Sequence, residues 1–155
     1  MDVRDFHKDF LEEIKATAAT EGAGSNAAFV NIATSYLVNA EVLSDFTPAF
    51  YLGTGKNNRK IRVDGYVLDE FDLTFNLVIA DYTGDEERET ITKTAALAHF
   101  DRLLYFIEEV YDGKLRREVE PSTPASDLVE TLVLHKERIR KFRLILITDG
   151  FMSNR

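Results

Sequence analysis

Cysteine is absent from this 155-residue sequence, which excludes disulfide bonds and zinc sites built on thiolates. A chain without cysteine is typical of the reducing cytoplasm, where we expect this protein to act. The sequence also lacks an apolar run of membrane-spanning length and the pattern of a secretory signal. We therefore expect a cytoplasmic protein with no membrane partner.

Positive charge is scarce, because 19 lysine and arginine residues face 27 aspartate and glutamate residues and the formal net charge is −8. This balance disfavours non-specific nucleic-acid binding over the whole surface. It leaves room for a local acidic metal site flanked by basic patches. The length predicts one domain, and the 45% apolar content is ordinary for a globular core.

The stretch that organises the chain is KIRVDGYVLDEFDLTFNLVIADY, residues 60–82. It predicts two antiparallel strands, residues 61–68 and 73–81, joined by a tight acidic turn at residues 69–72. Apolar residues occur at both odd and even positions of each strand. We therefore expect a sheet that is covered on both faces.

The remaining segments predict helices and strands on either side of this hairpin. Helical periodicity marks residues 2–19, 26–43, 91–112 and 125–138, with Ser25 or Asn26 capping the second helix and Thr90 or Thr92 the third. Strands are expected at residues 49–52 and 142–148, a solvated acidic loop at residues 83–89 and a polar link at residues 114–125. The predicted order is α-α-β-β-β-α-α-β, a mixed α/β fold.

Two carboxylates, Asp64 and Asp81, lie at the same end of the predicted hairpin. Burying two acids together is costly unless a cation neutralises them. Mg²⁺ accepts carboxylate oxygens and activates water for phosphodiester cleavage, so the pair points to a magnesium site. The alternative for Asp64 is a strand-edge aspartate that faces water or is hydrogen-bonded within the Asp64-Gly65 turn.

Basic residues gather in two places. One cluster precedes Asp64 and comprises Lys56, Arg59, Lys60 and Arg62; the other comprises Lys136, Arg138, Arg140, Lys141 and Arg143. Such side chains bind phosphates, and the first cluster is our candidate nucleic-acid interface. The alternative is a solvated face that balances an acidic protein.

The amino-acid sequences of several segments resemble those of a known family. VDGYVLDE, LTFNLVIADY, ETITKTAALAHFDRLLYFIE and KFRLILITDGFMS are similar to the N-terminal region of AIPR proteins, the abortive-infection phage-resistance family. The order of elements, with an aspartate on the middle strand and an acid ending the next, also resembles the PD-(D/E)XK restriction-nuclease-like core. AIPR proteins are longer than this chain, so the resemblance implies the N-terminal module of a longer polypeptide.

The nuclease resemblance implies specific roles. Asp64 matches the first motif aspartate and Asp81 the acid of the (D/E)XK triplet, whereas Thr83 stands where the motif has lysine. Glu13 or Glu41 stands as the candidate for the helical glutamate found in some members. Lys93, in the first turn of the third helix, is our candidate for the missing lysine.

Three functions remain open from the sequence. The first is a magnesium-dependent nuclease for phage defence, with Asp64, Asp81 and Lys93 as catalytic residues. The second is a catalytically inactive nuclease-fold module that binds nucleic acid or a partner. The third is a dimerisation domain, for which no outward apolar positions on the third helix stand out. The choice between DNA and RNA, the activation trigger and the oligomeric state are not determined by the sequence.

Overall fold

The computed structural model describes residues 2–21, 24–88 and 90–152. Its α-helices, in chain order, are α1 Val3–Glu21, α2 Ser25–Asn39, α3 Lys93–Tyr111, α4 Lys114–Glu118 and α5 Pro124–Leu134. Thr92 caps α3 as predicted, since its hydroxyl accepts a hydrogen bond from the backbone N–H of Ala95 at 3.1 Å. Thr123 caps α5 in the same way, and Pro124 begins that helix, where its missing N–H costs nothing.

The strands form one main sheet and one small ladder. They are β1 Thr47–Thr54, β2 Lys60–Asp69, β3 Thr74–Asp81, β4 Thr90–Ile91, β5 Lys141–Thr148 and β6 Phe151–Met152. The main sheet has the order β1-β2-β3-β5, in which β1, β2 and β3 are antiparallel neighbours and β5 runs parallel to β3. The predicted hairpin, the neighbouring last strand and the mixed α/β class are confirmed.

Each face of the sheet packs on its own set of helices. Phe75, Leu77 and Ile79 of β3 join a buried cluster with α3, α4 and α5. The alternate β3 residues, Val78 and Ala80, join a second cluster with α1 and α2. The apolar residues at both parities of β3 therefore predicted the covered sheet correctly.

Several predicted boundaries were wrong. The second helix ends at Asn39, not residue 43, because Glu41 takes a left-handed backbone conformation with φ 61°. Its N-cap is Gly24, not Ser25 or Asn26. The predicted fourth helix ends at Leu134, not residue 138. The sequence also predicts that the first helix stops at Gly22 or Gly24; Gly24 instead caps α2, and Gly22 lies outside the described residues.

The polar link at residues 114–125 is more ordered than predicted. It contains α4, whose Leu115 is buried, and Val119 is buried just beyond it. These two apolar residues pack in the buried cluster that β3 forms with α3, α4 and α5, and so hold the segment against it. The strands β4 and β6, which pair in parallel, were not predicted either, because two-residue strands carry no periodic signal.

The outer face of α3 also differs from the expectation. Leu97 and Leu104, one heptad apart, are 51% and 45% exposed, so this helix does carry outward apolar positions. Within the part of the chain that the structure describes, no helix has both the length and the apolar character required to cross a membrane.

Candidate functional site

Asp64 is buried in the sheet, with only 3% of its surface exposed. The backbone ladder between β2 and β3 runs from Asp69 opposite Thr74 to Gly65 opposite Val78. One residue beyond the ladder, Asp64 Oδ2 accepts a hydrogen bond at 2.8 Å from the backbone N–H of Ala80. The side chain thus satisfies a buried donor of β3. Both alternative interpretations, a water-facing aspartate and one bonded within its own turn, were wrong.

Arg62 neutralises Asp64 through a two-pronged contact. Its Nε lies 3.1 Å from Oδ2 and its Nη2 lies 3.2 Å from Oδ1. Asn26 of α2 completes the cluster by donating to Asp64 Oδ1 at 3.1 Å and accepting from Arg62 at 3.3 Å. With the Ala80 amide, these groups give Asp64 four hydrogen bonds, and a planar guanidinium is the cation best shaped for a carboxylate.

Asp81, at the end of β3, has a different arginine. Arg88 Nη2 makes a short ion pair with Asp81 Oδ2, and Arg88 Nη1 donates to the Asp81 carbonyl at 3.1 Å. The imidazole Nε2 of His99, on α3, lies 3.6 Å from the same carboxylate oxygen. Residues 83–89 were predicted to be a solvated loop, but the side chain of Arg88 is only 16% exposed.

Asp149, just after β5, is a site residue that the sequence interpretation missed. Its carboxylate is fully buried and pairs with Arg88 Nη1 at 2.5 Å. It also accepts from the backbone amides of Thr83 and Gly84 and from the Thr83 hydroxyl at 3.2 Å. The sequence carried a signal for this, because neighbouring parallel strands end at the same edge of a sheet, and Asp81 ends β3 while Asp149 directly follows β5. Thr83, predicted to stand at the position of the motif lysine, donates hydrogen bonds to Asp149.

Around Asp81, the pKa values of Arg88 and His99 shift in opposite directions. Burial opposes the charged guanidinium, yet the hydrogen bonds to Asp81 and Asp149 outweigh it and the pKa of Arg88 rises above its usual value. Burial lowers the pKa of His99 below its ordinary 6.5, with Asp81 opposing the shift and Arg102, Arg62 and Arg88 adding to it. His99 is thus neutral at pH 7 beside an ion-paired Asp81.

Among the described residues, the side chains of Asp64 and Asp81 share no hydrogen-bond or ion-pair partner. Asp64 contacts Asn26 of α2, whereas Asp81 contacts His99 of α3, and these helices cover opposite faces of the sheet. Across residues 2–21, 24–88 and 90–152, no group of three or more carboxylate or imidazole side chains is arranged to hold a metal ion. The arrangement does not fit Mg²⁺, which needs several oxygen ligands around one point. The magnesium hypothesis stays a prediction.

The glutamates proposed to join the site lie elsewhere. Glu13 is exposed on α1, where it accepts a 3.4 Å hydrogen bond from the Tyr36 hydroxyl. Glu41 is exposed in the turn after α2. Neither makes a described hydrogen bond to the groups around Asp64 or Asp81.

Lys93 is the first residue of α3 and is exposed. Among the described residues, its ammonium lies within 4 Å of no carboxylate. The catalytic role of Lys93 therefore stays a prediction that no described ion pair supports.

The first basic cluster is divided between two faces. Arg59 pairs with Glu108 at 2.8 Å and stacks over the Tyr105 ring at 4.0 Å, and Lys56 lies 3.6 Å from Asp112. These two cations are turned towards α3. Lys60 and Arg62 are on β2 and, by strand alternation with buried Ile61, project from the opposite face. The four candidates therefore do not form one interface.

The fold and site define an α/β domain whose mixed sheet carries buried aspartates held by the chain's own arginines. A family model, described as the abortive infection phage resistance protein N-terminal domain, matches residues 29–155. The chain belongs to this phage-defence family, and the family resemblance predicted from the sequence is confirmed. No curated protein and no solved structure matches the chain.

Proposed function

We propose that this domain is a catalytically inactive, nuclease-type module that binds nucleic acid within a phage-defence protein. One observation carries the proposal: both carboxylates at the nuclease motif positions are already neutralised by arginines of the same chain. A metal ion entering either place would have to displace a guanidinium from its carboxylate and leave that partly buried cation with fewer partners. The aspartates act here as structural anchors of β2 and β3.

Lys60 and Arg62 support nucleic-acid binding, because they lie on a face of β1 and β2 that also exposes Phe50 and Leu52. Basic side chains interleaved with exposed apolar ones are typical of surfaces that bind nucleic-acid strands. The net charge of −8 confines such binding to a local patch.

The experiment combines cleavage and binding. The purified protein is incubated with single-stranded DNA, duplex DNA and single-stranded RNA in Mg²⁺ or Mn²⁺, and Mn²⁺ binding is followed by calorimetry. We expect no cleavage. We also expect that any binding of Mn²⁺ is not saturable or is unchanged in Asp64→Asn. Oligonucleotide binding should weaken as the salt concentration rises. Asp101→Asn, a change to an exposed aspartate on α3, is the matched control.

Metal-dependent cleavage that is lost in Asp64→Asn and kept in Asp101→Asn would contradict the proposal. It would favour the second candidate, a magnesium-dependent nuclease. What supports that candidate is the placement of Asp64 on β2 and Asp81 at the end of the adjacent β3. In that case Lys93→Ala should abolish cleavage without lowering the melting temperature, because a cation at a helix N-terminus opposes the macrodipole.

A further inference from the structure

A pocket of about 370 Å³ lies between α2 and β1. Its walls are mostly apolar and come from Ala27, Val30, Pro48 and Phe50, with two amide side chains, Asn26 and Asn31, at its border. The volume lies at the lower end of the range of ligand sites, roughly 300–1,000 Å³. This pocket therefore suits one small flat group.

The topology explains why this place is open. On this face of the sheet, α1 and α2 pack over Val78 and Ala80 of β3 and Ile147 of β5. The edge strand β1 lies beyond them, and Phe50 and Leu52 remain 55% and 60% exposed among the described residues. The register of β1 against β2 also shifts between Pro48 and Tyr51, an irregularity of the kind that re-aims side chains. The ring of Phe50 is therefore exposed beside the pocket and is not buried in a core.

The polar groups around the pocket are suited to a neutral heterocycle that is joined to phosphates. The guanidinium of Arg62 lies 5.5 Å from the centre of the Phe50 ring, and Lys60 is exposed two residues earlier on the same face of β2. Asn31 is exposed, and its amide can both donate and accept hydrogen bonds. Asp64 also borders the pocket, but its charge is neutralised by Arg62. The pocket therefore offers an aromatic face and amide groups, with the Arg62 guanidinium beside the Phe50 ring and Lys60 further along the same face of β2.

We propose that this pocket binds one unpaired base of a single-stranded nucleic acid, stacked on Phe50, with Lys60 and Arg62 contacting the adjacent phosphates. Every base has a face that stacks on an aromatic ring, and an amide recognises the edge of a splayed-out base. A base inside a duplex is already stacked and paired, so the pocket selects single strands. The inference rests on the nucleic-acid binding of the proposed function and is independent of catalytic inactivity.

The test measures fluorescence anisotropy of a labelled single-stranded DNA, the matching RNA and the matching duplex. Phe50→Ala should weaken single-strand binding roughly 5- to 100-fold, which corresponds to the loss of one stacked base. Phe50→Tyr should retain most of the affinity. Phe71→Ala is the matched control, because Phe71 is 99% exposed at the hairpin turn and should leave binding unchanged. Lys60→Ala should reduce the salt slope by about one.

Each outcome separates the two proposals. If the protein binds single strands but Phe50→Ala binds as well as the unaltered protein, the pocket is not the site and the nucleic-acid function stands. Duplex binding as tight as single-strand binding overturns the unpaired-base assignment. A free mononucleotide that competes as well as the oligonucleotide also overturns it, since the ligand is then a nucleotide and not a strand. Absence of all nucleic-acid binding overturns both proposals. Circular dichroism spectra and melting curves of each variant show that the fold is intact.

Discussion

Arg88 links the ends of two strands that are far apart in sequence. It contacts the Asp81 side chain and backbone at the end of β3 and the Asp149 carboxylate after β5. A fully buried carboxylate such as Asp149 is costly unless it is paired and hydrogen-bonded. Arg88, with the amides of Thr83 and Gly84, supplies those partners.

Replacing Arg88 with alanine should therefore destabilise the protein by about 3–5 kcal/mol, because two buried or partly buried carboxylates lose their cation. Arg88→Lys should recover only part of this loss, since one ammonium cannot reproduce the two-sided contact. The measurement is urea unfolding followed by circular dichroism. Arg116→Ala is the control, because its ion pair with Glu130 is about half exposed, and it should change stability little. Equal stability of Arg88→Ala and the unaltered protein would show that the cluster is not structural.

The loop between β1 and β2, residues 55–59, carries two of the basic residues predicted to bind nucleic acid, Lys56 and Arg59. Buried Glu109 of α3 accepts a hydrogen bond from the Lys56 backbone at 2.8 Å and lies 3.9 Å from Arg59. Gly55 makes this approach feasible, since a Cβ on it would lie 2.4 Å from Glu109 Oε1. The glutamate therefore fixes the loop, from which Arg59 and Lys56 reach acidic side chains on and just after α3.

A double-mutant cycle tests this packing. Gly55→Ala should cost about 1–3 kcal/mol through overpacking against Glu109. The same change should cost clearly less in a Glu109→Ala background, where the space is free. Thermal unfolding of the four proteins gives the coupling energy. An equal cost in both backgrounds would mean that the strain comes from the backbone and not from the glutamate.

The elements themselves were largely predictable, because helices and strands carry their periodicity locally. The sequence could also have predicted that Lys60 and Arg62 lie on the face of β2 opposite the core. Ile61 and Val63 alternate with Lys60, Arg62 and Asp64 along this strand. The hydrogen-bond and ion-pair partners of the aspartates could not be predicted from the sequence. Arg88 lies 61 residues from Asp149, and Asn26 lies 38 residues from Asp64, so only the packed fold brings them together.

At the scale of the whole molecule, one sheet separates two apolar clusters. The residues matched by the family model do not include every element that contributes to these clusters. The match begins at residue 29 and leaves out α1. Leu11 and Ile14 of α1 are nevertheless completely buried, in the cluster that covers Val78 and Ala80 of β3. Helix α1 is therefore part of the core that supports the strand carrying Asp81.

Leu11→Ala should accordingly weaken the whole domain, not only its first helix. Removing a fully buried leucine costs about 2–5 kcal/mol, which lowers the melting temperature of a domain of this size by roughly 5–15 °C. Phe6→Ala on the same helix is the control, because Phe6 is 56% exposed and should have a small effect. Hydrogen exchange of the β3 amides should accelerate in Leu11→Ala by the same free energy, since these amides exchange through unfolding of the shared core. If α1 melts separately while β3 keeps its protection, the helix is an appendage and the domain core begins with α2.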